Sequence, residues 1–359
     1  MSSRQPRASG YFRTSYGQER ALLQTRLEKG AALAAAAALV AFPFAGTPLM
    51  LDLACQVFLA CVGAISLTLL TGYAGQVSLG HAGLIAAGAF TTGILYRELA
   101  LPFWVTLPLS GVAGALLGLV FGLPSLRLRG LYLAVSTLAL HFLVIYIGGE
   151  YETKRGFSSG IVIDAPKIMG WTISGNRTWY FILLAAALLT LLASLNLLRS
   201  RTGRAWRAVR AHETVAGAFA ISVPRAKLSA FVVTSAMTAM GGALFAQWRG
   251  FVSVEAFSLF LSIQYVAMII IGGMGSLLGA ILGAIFVTLF PYAIEAAMRL
   301  AAGSVNPSLI FSINQAAFGL VMILFLVFEP LGLVGIWRRL QTYFLLWPFK
   351  TRPLAGGRK

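Results

Sequence analysis

The segment Thr71-Gly72-Tyr73-Ala74-Gly75-Gln76-Val77-Ser78-Leu79-Gly80-His81-Ala82-Gly83 interrupts an otherwise apolar part of the chain. Long apolar runs flank it on both sides. Glycines at 72, 75, 80 and 83 permit unwinding and close approach of backbones. Gln76, Ser78 and His81 are costly in hydrocarbon unless they meet partners or water. Two readings stand side by side. One is helix–helix packing with locally satisfied polar groups; the other is a discontinuous helix bordering a translocation path. The second makes Thr71, Gly72, Gly75, Gln76, Ser78 and His81 candidate path residues.

Composition extends the membrane reading to the whole chain. Of 359 residues, 58% are hydrophobic and 11% charged, against roughly 25% charged in a soluble domain. A soluble chain this apolar could not cover its surface, whereas a bilayer is a fitting solvent for it. The excess of 28 Lys and Arg over 11 Asp and Glu does not point to nucleic acid, because the basic residues cluster between apolar runs. Such clusters orient a membrane protein on lipid. Cys55 and Cys61 fall inside one apolar run and read as small packing residues.

A membrane-crossing helix needs about 20 apolar residues. That criterion predicts ten spans, at 30–46, 50–71, 75–96, 102–123, 130–149, 178–198, 226–248, 258–275, 277–298 and 308–328. The fold class is thus an all-α integral membrane protein with about ten transmembrane helices, some broken or re-entrant. With the N-terminus inside, 21 of the 28 basic residues fall on the inner side, the sense required by the positive-inside rule. This predicts a multi-pass protein of the cell (inner) membrane with both termini cytoplasmic. It also predicts a polar tail over 1–29 without a cleavable signal, a transmembrane domain over 30–335, and a basic cytoplasmic tail over 336–359.

Two further elements stand out. Ile271-Gly272-Gly273-Met274-Gly275-Ser276-Leu277-Leu278-Gly279 is a second glycine-dense break, and it partly echoes Gly75–Gly80. Gly272, Gly273, Gly275 and Ser276 join the path candidates on that ground. The long inner segment 199–227 carries Arg204, Arg207 and Arg210 at every third position, with Trp206 and Val209 on another face. It reads as a short amphipathic helix, lying either on anionic headgroups or in a groove of a soluble partner. In the second case Trp206, Val209 and Phe219 are the candidate groove anchors. No glycine is followed by lysine, so the chain has no P-loop. Ionisable residues inside the spans are also scarce, which argues that energy arrives from another subunit.

Thr71 to His81, TGYAGQVSLGH, closely resembles the signature of permeases of the branched-chain amino acid ABC transporter family, LivM-type. Further stretches fit in the same order: Gly130 to Leu140, Gly203 to Lys227 with Phe231 and Met240 to Leu244, Ser262 to Gly283, and Phe328 to Leu333. Two stretches depart from the family's pattern. Its external threonine-glycine-glycine reads Thr153-Lys154-Arg155-Gly156-Phe157-Ser158-Ser159-Gly160 here, and Ala220 replaces the glycine usual before the isoleucine.

The resemblance implies the LivHM type of importer permease fold. It implies a second, LivH-like permease subunit, two ABC ATPase subunits and a periplasmic or surface solute-binding protein facing the 149–177 loop. Gly203, Arg204, Trp206, Arg207, Val209, Arg210, Glu213 and Phe219 would then form the ATPase-coupling element. It implies no cofactor and no catalytic chemistry in this chain. The substrate class it implies is branched-chain amino acids, with other amino acids, amides, urea or aromatic acids as alternatives. A stand-alone secondary carrier or channel would work without an ATPase.

Overall fold

The computed structural model describes residues 26–346, apart from 129, 158–159, 169–170, 174, 303–306 and 330. Most of the two expected tails therefore lies outside the described residues. The described chain forms α1 (Arg26–Ala45), α2 (Pro48–Leu67, continued by a π-helical turn over Thr68–Tyr73), α3 (His81–Leu99), α4 (Phe103–Ser125) and α5 (Leu131–Lys154). Three two-residue strands follow, β1 (Ile161–Val162), β2 (Lys167–Ile168) and β3 (Trp171–Thr172). Next come α6 (Asn176–Arg199), α7 (Arg201–Ala211), α8 (Glu213–Ala218), α9 (Val223–Arg249) and β4 (Phe251–Val252). The last helices are α10 (Leu259–Gly272), α11 (Leu277–Ala302), α12 (Pro307–Phe328) and α13 (Gly332–Leu346).

Each expected span has a helix, and eight helical spans are long and apolar enough to cross a membrane. The other two are α1, whose apolar part is the short Leu33–Ala45, and α3. The third span begins at His81 rather than near 75, because residues 75–80 are not helical. Gly75 there sits at φ +73°, a left-handed conformation that ends a helix and favours glycine. The expected tail from 336 begins as helix, α13 reaching Leu346.

Helix starts follow local chemistry. Thr47 caps α2, accepting from the Met50 N–H at 3.4 Å, with Pro48 at the first position. Ser222 precedes α9 with Pro224 in its first turn. The layout is set by how much of each helix is covered. In α2, 83% of the most apolar window is buried, against 6% in α12. So α2 runs through the centre while α12 lies at the edge with Phe311, Leu320 and Val327 exposed.

Around α2, the tightest packing uses small residues. A Cβ at Gly118 would stand 2.7 Å from Ser235 Cβ, so α4 and α9 meet nearly backbone to backbone. At one end of the bundle, β1 pairs antiparallel with β4, which ties Ile161–Val162 to the end of α9, and β2 pairs with β3. Helices α7 and α8 lie at the other end.

Candidate functional site

The two glycine breaks, far apart in sequence, meet at the end of the bundle where α7 lies. A Cβ at Gly72 would stand 2.8 Å from the Gly275 N, and one at Gly75 would stand 3.0 Å from Arg210 Cγ. At Gly275, a Cβ would be 2.9 Å from Arg210 Nη1. Arg210, at the end of α7, thus lies across both breaks. A Cβ at Gly273 would stand 3.5 Å from Val334 Cβ, so α13 closes the same junction.

The path candidates of the first break divide by surroundings. Thr71 donates its hydroxyl to the Gln76 carbonyl at 3.0 Å, and Leu79 N–H donates to Thr137 of α5 at 3.0 Å. Gln76 is buried, and neither its side-chain oxygen nor its nitrogen has a partner among the described residues. Ser78 is buried as well. His81 is buried at the start of α3, its ring 4.8 Å from that of Tyr265 on α10. Gln76, Gly75 and Arg210 border a hollow of about 350 Å³ that Glu213 and Lys227 also line. In the second break, Ser276 is used as a helix cap, accepting from the Gly279 N–H at 3.3 Å.

The inner segment forms the expected amphipathic helix, but its apolar face points into the chain's own core. Trp206 is 0% exposed and donates its indole N–H to Ser229 at 3.0 Å; Val209 is buried beside it. Neither is a free groove anchor. Phe219, at 77% exposure, is the one of the three anchor candidates that faces outward. Gly203 is buried, and a Cβ there would stand 2.5 Å from Leu198 Cα. Arg207 donates to the Leu198 carbonyl at 2.8 Å and Arg204 to the Arg199 carbonyl at 2.8 Å. These bonds satisfy acceptors at the C-terminus of α6, where the helix dipole favours cations. Glu213 pairs with the buried Lys227 at 2.7 Å, tying α8 to α9. Among the described residues no carboxylate pairs with Arg210.

At the opposite end, a cavity of about 310 Å³ opens between α2, α9, α10 and α11. Gln56, Arg249 and Tyr292 stand at its mouth, and Gly63, Tyr265 and Met268 lie deeper. Helix α2 spans the whole distance from mouth to junction. Sequence reasoning missed this cavity. The available signal was a pair of charges, Asp52 and Arg249, at the ends of the second and seventh expected spans away from 199–227.

Over residues 49–328 the sequence matches the family described as branched-chain amino acid transport system / permease component. The chain is 30% identical to the high-affinity branched-chain amino acid transport system permease protein LivM of Salmonella typhimurium, over 83% of this chain and 73% of that protein. It is 26% identical to the probable branched-chain amino acid transport permease protein LivM of Methanocaldococcus jannaschii, covering 76% and 89%. The autoinducer 2 import system permease protein LsrC of Escherichia coli is 26% identical, covering 71% and 74%. No solved structure matches. With its apolar helices and its match across most of its length, this chain belongs to the permease-component family of branched-chain amino acid transport systems.

Proposed function

We propose that this permease imports branched-chain amino acids through the outer cavity, and that ATP-driven motion enters through α7 to open the glycine junction. The observation that carries this reading is Arg210. It sits on a helix that reaches both breaks, since the guanidinium borders Gly275 while its stem borders Gly75. In this arrangement the cavity has a mouth at one end, and closely packed backbone closes the other. Displacing α7 would withdraw Arg210 and free the two breaks to separate.

The orientation that suits this mechanism places both termini, α7 and the junction on the cytoplasmic side, where 21 of 28 basic residues collect. The proposed partners are a second, LivH-like permease, two ABC ATPase subunits and a solute-binding protein at the cavity end. Phe219 and the exposed basic face of α7 are the surfaces an ATPase would grip. The test is the reconstituted importer bearing Arg210→Ala. ATP hydrolysis persists while leucine uptake falls at least tenfold, because the ATPase still cycles without moving the junction. Uptake at the wild-type rate would overturn the assignment of Arg210. Leucine uptake by this chain without any ATPase would favour a stand-alone carrier.

A further inference from the structure

Arg249 lines the cavity at the end away from α7, and Asp52, just outside the lining, forms a long ion pair with it. Asp52 Oδ2 accepts from Gln56 Nε2 at 2.9 Å, and Gln56 Oε1 in turn accepts from the Tyr292 hydroxyl at 3.0 Å. Asp52 Oδ1 instead faces Arg249 Nη1 at 3.9 Å, beyond hydrogen-bond reach. The guanidinium is held from the other side by the Trp248 ring, 4.2 Å from its centroid. Both side chains remain partly open, at 44% for Arg249 and 35% for Asp52. Behind them the cavity is mainly apolar, lined by Leu59, Ile85, Phe257, Leu261 and Met268. Within it the Thr288 hydroxyl is buried without a partner among the described residues.

We infer that this mouth is a zwitterion-reading site, in which Arg249 takes the carboxylate and Asp52 the ammonium of a free neutral α-amino acid. The inference rests on the import reading above and names the residues that choose the solute. A guanidinium binds a carboxylate by charge-assisted and often bidentate hydrogen bonds. Asp52 already has one oxygen fixed by Gln56, which leaves the other facing Arg249 beside the mouth. A fixed cation and a fixed anion side by side match a zwitterion and leave a lone carboxylic acid or a lone amine half-paired. An apolar side chain enters the cavity behind, whereas a lysine or glutamate side chain would bury an unpaired charge there. The volume of about 310 Å³ sits at the small end of ligand pockets, which suits one small solute. The bland alternative is a surface ion pair of little consequence.

The experiment reads binding without transport. The complete importer, carrying Cys55→Ala and Cys61→Ala, is placed in lipid nanodiscs, which leave both faces accessible. Thr288→Cys inside the cavity then reports by its rate of labelling with a thiol reagent. L-leucine is expected to slow labelling at least fivefold. Leucinamide, which lacks the carboxylate, and 4-methylpentanoate, which lacks the ammonium, should slow it less than twofold. Arg249→Gln and Asp52→Asn should each raise the half-protecting leucine concentration about tenfold or more, the scale of one charged hydrogen bond. Arg249→Lys should recover part of the loss. Equal protection by leucine and leucinamide would overturn the inference, as would unchanged protection in Arg249→Gln. If Thr288→Cys does not assemble, Gln264→Cys in the same cavity reports instead. ATP-driven leucine uptake, measured separately in proteoliposomes, keeps the two readings apart. Protection without uptake sinks the import reading alone, and uptake without protection sinks this site alone.

Discussion

The two glycine breaks look alike in sequence and behave differently in the fold. The break at 271–279 is a tight turn between α10 and α11, where Gly272 packs on the Gly279 carbonyl and Ser276 is committed to capping. Ser276 has a partner, and neighbouring backbone crowds Gly272 and Gly279. The break at 71–83 is looser. It runs from the π-helical turn through residues 75–80 outside any helix, and it keeps the Gln76 side chain buried without a partner among the described residues. A buried polar group without a partner costs about 1–3 kcal/mol, so this side of the junction is the less stable of the two. Shared glycine content therefore marks close approach in both breaks, while the unpartnered side chain of Gln76 sets the first apart from the second.

That contrast can be broken by substitution, beginning where the effect is largest. Gly272→Val places side-chain carbon on the Gly279 carbonyl, a clash with backbone that cannot swing away. Little monodisperse protein is expected on size-exclusion chromatography after detergent extraction. Gln76→Leu should do the opposite to stability. It removes an unpaired polar group, so the melting temperature holds or rises while ATP-driven uptake falls at least tenfold. A melting temperature several degrees below that of the wild type would make the first break as rigid as the second. Gly75→Ala should fall between these, costing about 1–2 kcal/mol for a side chain at its φ of +73°, and thermal unfolding reads it. The smallest change lies outside both breaks. Ala220, at φ +58°, already carries left-handed strain, and Ala220→Gly should gain about 1 kcal/mol in the same assay.

Much of the architecture was legible because the bilayer demands long apolar runs, and those runs are plain in the sequence. The amphipathic character of α7 was legible as well, from Arg204, Arg207 and Arg210 recurring against Trp206 and Val209. What periodicity could not tell was the neighbour on each face. An apolar stripe looks the same whether it docks on a partner or on α9, and Trp206 does the latter. A second contact of Arg210 was hidden for a related reason. Its outward-facing series suggested a partner contact, yet its position at the helix end brings it to the glycine breaks. The cavity escaped because Asp52 and Arg249, 197 positions apart, acquire meaning only when α2 and α9 lie side by side.

One turn of α2 governs how its two ends are aimed. Gly63 packs against the Tyr265 ring, and Gly72 against Gly275, just past the end of the same helix α10. An α-helix advances about 100° per residue, so from an unbroken one these two glycines would point in nearly opposite directions. The π-helical turn over Thr68–Tyr73, where the Ala74 N–H reaches back to the Leu69 carbonyl at 3.1 Å, slows that advance and turns Gly72 part of the way back toward the side Gly63 faces. Tightening this single turn to ordinary α geometry would rotate Gly72 off the second break while leaving the cavity mouth where it is.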